Sequence, residues 1–78
     1  MSMADLRKKF GQRVRELRNA RGFSQEELAH RAGMHYTYLG GIERGERNPA
    51  LQNIGRIARA LAIPVADLFT DAPARSRR

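Results

Sequence analysis

Apolar residues recur along this chain at helical spacing, and nowhere do they alternate with polar ones over the length of a strand. Leu6, Phe10, Val14 and Leu17 mark one face of a first helix, expected over residues 4–21 and closed by Gly22. The stretch SQEELAHRAG offers Ser24 as an N-cap and Glu27 as its capping-box partner, with Leu28, Ala29 and Ala32 inward and Gly33 at the end. A third helix is expected from His35 or Tyr36 to Arg44, with Leu39 and Ile42 inward and Gly45 as its stop. Leu51, Ile54, Ile57, Ala58 and Leu61 define a fourth. Pro64, read as a first-turn residue, opens a short fifth helix holding Val65, Leu68 and Phe69. The pattern predicts one compact all-α, five-helix domain over residues 1–71. Residues 72–78 form a polar, basic tail with no reason to order.

The third helix contains an anomaly. Gly40 and Gly41 stand side by side in its interior, where two glycines cost about 2 kcal/mol relative to alanine. Leu39 and Ile42 take the inward positions, so both glycines fall on other sides of the helix. The expectation is that Gly41 faces outward, where a missing Cβ allows close approach to something outside the domain, and that Gly40 clears space beside the second helix. With only two strong apolar residues the third helix is poorly buried, and it follows the second through the short link AGMH. A small residue and a glycine permit the sharp turn of a helix-turn-helix. Such a unit presents its second helix outward, so that Tyr36, Thr37 and Tyr38 at its start can reach base edges in a major groove.

Charge points the same way. Fifteen Lys and Arg face eight Asp and Glu, giving +7 and a pI near 11.3, and the only lysines are Lys8 and Lys9. The planar arginine fork suits phosphates and guanine edges, so double-stranded DNA is the expected partner. A solvated basic face is the plainer alternative, and it is the reading taken for Arg7, Lys8, Lys9 and Arg15. The tail arginines Arg75, Arg77 and Arg78 are read as solubility charges. A membrane partner is not expected, because no helix joins a wide exposed apolar face to a basic one without also being needed for the core.

With 78 residues the core is small, and pairing with a second copy would help it. There is no cysteine, no clustered carboxylate pair and no phosphate-cradling glycine loop ahead of a helix, so enzymatic activity is not expected. No cofactor and no small-molecule ligand is expected either. His30 and His35 lack a third partner at metal-ligand spacing. The N-terminus MSMADLRKKF has no apolar signal core, and the default location is the cytoplasm.

The stretch GFSQEELAHRAGMHYTYLGGIERGERNP, followed by a Leu/Ile-spaced helix and LAIPVADLF, resembles the phage-repressor or XRE helix-turn-helix family from about residue 13 to residue 69. Within it the chain is similar to short stand-alone regulators, notably the controller proteins of restriction–modification systems. The resemblance implies a lambda-repressor-like fold and a bacterial transcriptional regulator, repressor or activator, bound to the nucleoid through DNA. It implies a homodimer on a palindromic operator. Gln25 would touch phosphate or orient the recognition helix, and His35 would cap that helix near the DNA backbone. Tyr36 and Thr37 would make the main base contacts, with Tyr38 leaning on base or sugar and Gly41 at a further base-facing position. Arg44, Arg47 and Asn48 would meet phosphates or the groove edge. Arg18 and Glu43 would pair beneath the recognition helix. The apolar residues left over, Leu51, Val65, Leu68 and Phe69, are the expected dimer seam.

Two positions depart from the family pattern. Tyr36 stands where relatives often carry arginine or glutamine, and tyrosine cannot offer the bidentate fork, so specificity shifts toward Arg47 and DNA shape. Ala50 stands where a Ser or Thr often caps the fourth helix, leaving Asn48 as a candidate cap with Pro49 at the first helical position. The rival reading is a DNA-binding antitoxin with a toxin partner, which a longer tail would favour.

Overall fold

Four α-helices and a terminal 3-10 turn make up residues 2–70, the part of the chain that the computed structural model describes; the tail expected over residues 72–78 lies outside it. Helix α1 spans Met3–Ala20, α2 Gln25–Ala32, α3 Tyr36–Glu43 and α4 Leu51–Leu61, with the 3-10 turn at Val65–Phe69. Among the described residues there is no strand, and no helix is long and apolar enough to cross a membrane.

Local chemistry sets the helix ends. At the start of α1 the Asp5 amide donates to Ser2 Oγ at 3.1 Å and the Ser2 amide donates to Asp5 Oδ2 at 3.4 Å, a complete capping box that the apolar pattern did not signal. The box expected at α2 is only half formed. Ser24 Oγ accepts from the Glu27 amide at 3.0 Å, but the Glu27 carboxylate accepts from Arg31 Nε at 2.6 Å instead of turning back. A guanidinium one turn away is the stronger donor, being charged. Gly33 ends α2 at φ 71°, a left-handed conformation that makes the sharp turn into α3 cheap for glycine.

The last two elements differ from expectation at their starts. Ala50, not Asn48, is the N-cap of α4, and no side chain caps that helix; Pro49 lies outside it. Pro64 precedes the final turn at φ −65°, ψ 149°, as its N-cap and not as its first helical residue. The segment then winds as a 3-10 helix, suiting a five-residue piece too short to gain from α-type hydrogen bonds.

Val14, Leu28, Leu39, Ile42, Ile57, Leu61 and Leu68 are fully buried and form the centre of the core. Helix α1 packs on α3 and on the final turn, while α2 sits against both α3 and α4. Two residues counted toward the helical stripes stand outside this core: Leu6 is 42% exposed and Leu51 is 79% exposed. Packing along α1 begins at Phe10, whose ring lies 5.3 Å from that of Phe69. Leu68 goes the other way. Expected at a dimer seam, it is 1% exposed, because the final turn docks on α1 and α4 and drives this side chain between them.

The α1–α3 contact depends on Gly11. A Cβ there would overlap the Ile42 carbonyl oxygen and sit 2.6 Å from that of Glu43, so α1 lies directly on the end of α3. Gly55, within α4, has nothing within 4 Å of where its Cβ would be. The two glycines therefore predict opposite outcomes. Gly11→Ala should destabilise by about 1–3 kcal/mol, since backbone cannot yield as a side-chain tip can. Gly55→Ala should raise the thermal midpoint by several degrees through about 0.5–1 kcal/mol of helix propensity. Thermal unfolding of the two variants beside wild type checks both.

Candidate nucleic-acid interface

Beneath α3, Arg18 of α1 grips Glu43. Arg18 Nε donates to Glu43 Oε2 at 2.7 Å and Arg18 Nη2 to Oε1 at 3.1 Å, with side chains only 11% and 2% exposed. The remaining polar capacity is satisfied around them: Arg18 Nη1 donates to the Phe23 carbonyl at 2.8 Å, and Gln25 Nε2 donates to Glu43 Oε1 at 3.1 Å. Gln25, the first residue of α2, is thus held against the C-terminal end of α3, and α1, α2 and α3 meet at one carboxylate. Neutralising that carboxylate would strand the buried guanidinium. Glu43→Gln should therefore cost on the order of 3 kcal/mol in a urea titration at neutral pH. Unchanged stability would mean that the pair carries no load.

The start of α3 is organised by His35. Its Nδ1 accepts from the Thr37 amide at 3.1 Å and lies 2.6 Å from Thr37 Oγ1, so the neutral ring carries its proton on Nε2. The imidazole stacks on Tyr36 with centroids 4.8 Å apart. His35, Tyr36 and Thr37 are all exposed, Tyr36 by 48%. Together they present two rings and a hydroxyl at the outer corner of the turn.

Tyr38 behaves differently. Its ring is half-buried against the core, and its hydroxyl accepts from Asn53 Nδ2 at 3.2 Å. Asn53 in turn accepts from Arg56 Nη1 at 3.2 Å. No sequence signal pointed to Asn53, since the contact spans fifteen residues between two helices. The Arg47 guanidinium lies over the Tyr38 ring, 5.8 Å from its centroid.

Neither glycine of α3 opens outward, which overturns the expectation that Gly41 faces away from the domain. A Cβ at Gly41 would stand 2.8 Å from Arg47 Cγ, and Gly41 is buried. The chain reverses after Gly45, the Glu46 amide donates to the Gly41 carbonyl at 2.8 Å, and Arg47 is carried back across the helix. Gly40 is also buried, beside Gln25 and under Arg44, whose Nη1 would lie 3.1 Å from a Cβ there. Asn48, no longer needed as a cap, is exposed in the same loop.

Several arginines that charge alone would assign to a partner serve the fold. Arg13 Nε donates to the Asp67 carbonyl at 2.8 Å, and Arg21 Nη1 donates to the Leu61 carbonyl at 2.6 Å. Arg31 covers the Phe23 ring at 4.5 Å. Arg44 and Arg47 are exposed at the end of α3 and in the loop after it, and Arg44 shares its charge with Glu46 at 3.1 Å.

That last pair has a pH signature. The hydrogen bond from Arg44, then its charge, hold the Glu46 carboxyl below the usual carboxylate range, and Glu46 raises the Arg44 guanidinium in return. The contribution to stability is present above the unfolded-state value of about 4.3 and is lost as pH falls through the folded value. Being fully exposed, the pair is weak and salt-sensitive. A carboxyl-detected NMR titration should find Glu46 below the usual carboxylate range, with the depression relaxing at about 1 M salt. Glu46→Gln should also release Arg44 and tighten binding to random duplex DNA.

Among the described residues no group of three His, Cys, Asp or Glu could hold a metal ion. The arrangement is that of a positioned surface. A short helix is clamped from below and shows aromatic, hydroxyl and guanidinium groups above.

Known proteins resemble this chain in sequence and in fold. The control protein C.BamHI of Bacillus amyloliquefaciens is 45% identical over 66 residues, covering 83% of this chain and 82% of that protein. The control protein C.SmaI of Serratia marcescens is 41% identical over 66 residues, covering 85% and 79%. The crystal structure of the restriction–modification controller protein C.AhdI from Aeromonas hydrophila superposes with a TM-score of 0.81 at 56% identity, covering 85% of this chain and 98% of that one. A family profile described as helix-turn-helix matches residues 14–68, and the chain belongs to the helix-turn-helix family.

Proposed function

We propose that the protein is a sequence-specific, DNA-binding transcriptional regulator acting as a restriction–modification controller, not an enzyme. The observation that carries this reading is α3 itself. Its inner side is locked to α1 and α2 through Arg18, Glu43 and Gln25, while Tyr36, Thr37, Arg44 and Arg47 stand at its outer surface. Rigid presentation of a few polar groups on a convex helix is what base-edge reading requires. The control functions of C.BamHI, C.SmaI and C.AhdI favour the controller role.

In this reading α3 enters a major groove. Tyr36 and Thr37 meet base edges there, with Tyr36 offering one hydroxyl and a ring for a thymine methyl. Arg47 reads or straddles the groove edge, Asn48 and Arg44 meet phosphates, and His35 directs Nε2–H toward the backbone. Gln25 orients α3 through Glu43, with phosphate contact secondary. Tyr38 supports Arg47 more than it reads sequence. The protein works as a homodimer on a palindrome, its half-sites about one helical turn, roughly 34 Å, apart. Leu51, Val65 and Phe69 keep apolar surface exposed and supply the seam.

Selection from random duplexes should enrich one palindromic motif. Arg47→Ala and Tyr36→Ala should then lower preference for that motif over scrambled DNA by about 1–3 kcal/mol, whereas Arg44→Ala should weaken both targets alike. Log affinity should fall with log salt by about 0.9 for each phosphate neutralised. No enriched motif together with a flat salt response would overturn the reading. Leu51→Glu should shift sedimentation toward monomer if the seam is placed correctly.

A further inference from the structure

Gly41 presents a puzzle that DNA approach does not solve. Glycine is a poor helix former, yet it stands inside α3 at a position that the domain itself covers. The three heavy atoms nearest its absent Cβ all belong to Arg47: Cγ at 2.8 Å, Nε at 3.3 Å and Cδ at 3.6 Å. At Gly40 the neighbours are instead the tip of Arg44 and the Gln25 amide. Gly41 is also tied to the same loop through its backbone, since its carbonyl accepts from the Glu46 amide at 2.8 Å.

We infer that Gly41 is a specificity-positioning residue: it is the seat on which the Arg47 stem lies, and it fixes where the Arg47 guanidinium stands beside the exposed start of α3. The inference rests on the DNA-binding reading above but replaces direct approach of Gly41 to DNA with action through Arg47.

The geometry of Arg47 bears this out along its length. Its Cγ rests on Gly41, and its guanidinium carbon lies 5.8 Å from the Tyr38 ring centroid, within the range of a cation–π contact. Tyr38 is itself held by Asn53, which Arg56 steadies. An exposed arginine otherwise samples many rotamers, and binding must suppress them. A seat at the root of the stem and an aromatic face at its tip remove part of that freedom before DNA arrives. A methyl group at position 41 meets the stem near its root, so a small displacement there is amplified at the guanidinium. Arg47 is exposed and can swing clear, so alanine at 41 moves the arginine without unfolding the domain.

The test uses wild type, Gly41→Ala, Arg47→Ala and the double variant, in two arms. Without DNA, NMR of the wild-type protein should show a contact between the Gly41 α-protons and the Arg47 γ-protons, with Arg47 resonances shifted upfield by the Tyr38 ring. Gly41→Ala should lose both while keeping the melting temperature of a folded domain. With DNA, the measured quantity is preference for the selected motif over a scrambled duplex. Arg47→Ala should lower it about tenfold or more. Gly41→Ala should lower it by at least about fivefold in the wild-type background and by less than about twofold when Arg47 is already alanine, because the two act as one unit. Equal factors in both backgrounds would mean that Gly41 meets DNA directly, and no loss in the wild-type background would mean that the seat has no role; either overturns the proposal. If the NMR contacts are present but no motif can be selected, it is the DNA reading that fails, and the specificity role falls with it.

Discussion

The fold depends on one buried ion pair. Helix α3 has eight residues and buries two large apolar side chains, Leu39 and Ile42. So small an apolar face leaves the helix dependent on hydrogen bonds and on fastening of its end to its neighbours. Glu43 supplies the fastening, with Arg18 on one side and Gln25 on the other. A buried pair gains little against a hydrophobic replacement, but it is strongly directional, and losing one partner strands the other. A presented helix needs that directionality, because its register against α1 and α2 sets which side chains face outward.

Close backbone approach is the second condition. Gly11 lets α1 lie on the carbonyls of Ile42 and Glu43, which brings Arg18, two turns further along α1, to the carboxylate it grips. Of the four glycines inside helices, Gly11, Gly40 and Gly41 each have something from the same domain in the space a Cβ would take, whereas Gly55 has nothing within 4 Å. The outer surface is built by equally local means: His35 caps and stacks, Tyr38 leans inward to Asn53, and the loop after Gly45 returns Arg47 over the helix. Arginine thus divides between two tasks. Arg13, Arg18 and Arg21 tie elements together, Arg31 covers Phe23, and Arg44 and Arg47 remain at the surface beside α3.

Helical spacing and punctuation were legible in the sequence. Phe10, Val14 and Leu17, then Leu28, Leu39, Ile42, Ile57 and Leu61, are inward as their periodicity implies, and glycine ends α2 where expected. These features depend on residues close in the chain, so one sequence suffices to read them. The sequence also carried the short α2–α3 link, the excess of arginine and the family pattern, because each is written in contiguous residues.

Tertiary structure decided what lies opposite each residue. Leu51 and Leu68 are both leucines on helical stripes, yet one is almost wholly exposed and the other sealed, because only the docking of the final turn determines which surface is covered. Gly41 carries no side chain to show its direction, and the neighbour that covers it arrives from a loop whose path the helical period does not encode. Glu27 had two donors within reach, and the geometry chose the charged one. The sequence by itself determined that there would be helices, where α2 would stop and which large apolar residues in the middle of each α-helix would turn inward. The long-range approach of backbones and side chains, which no local spacing records, determined which polar groups were left to meet a partner.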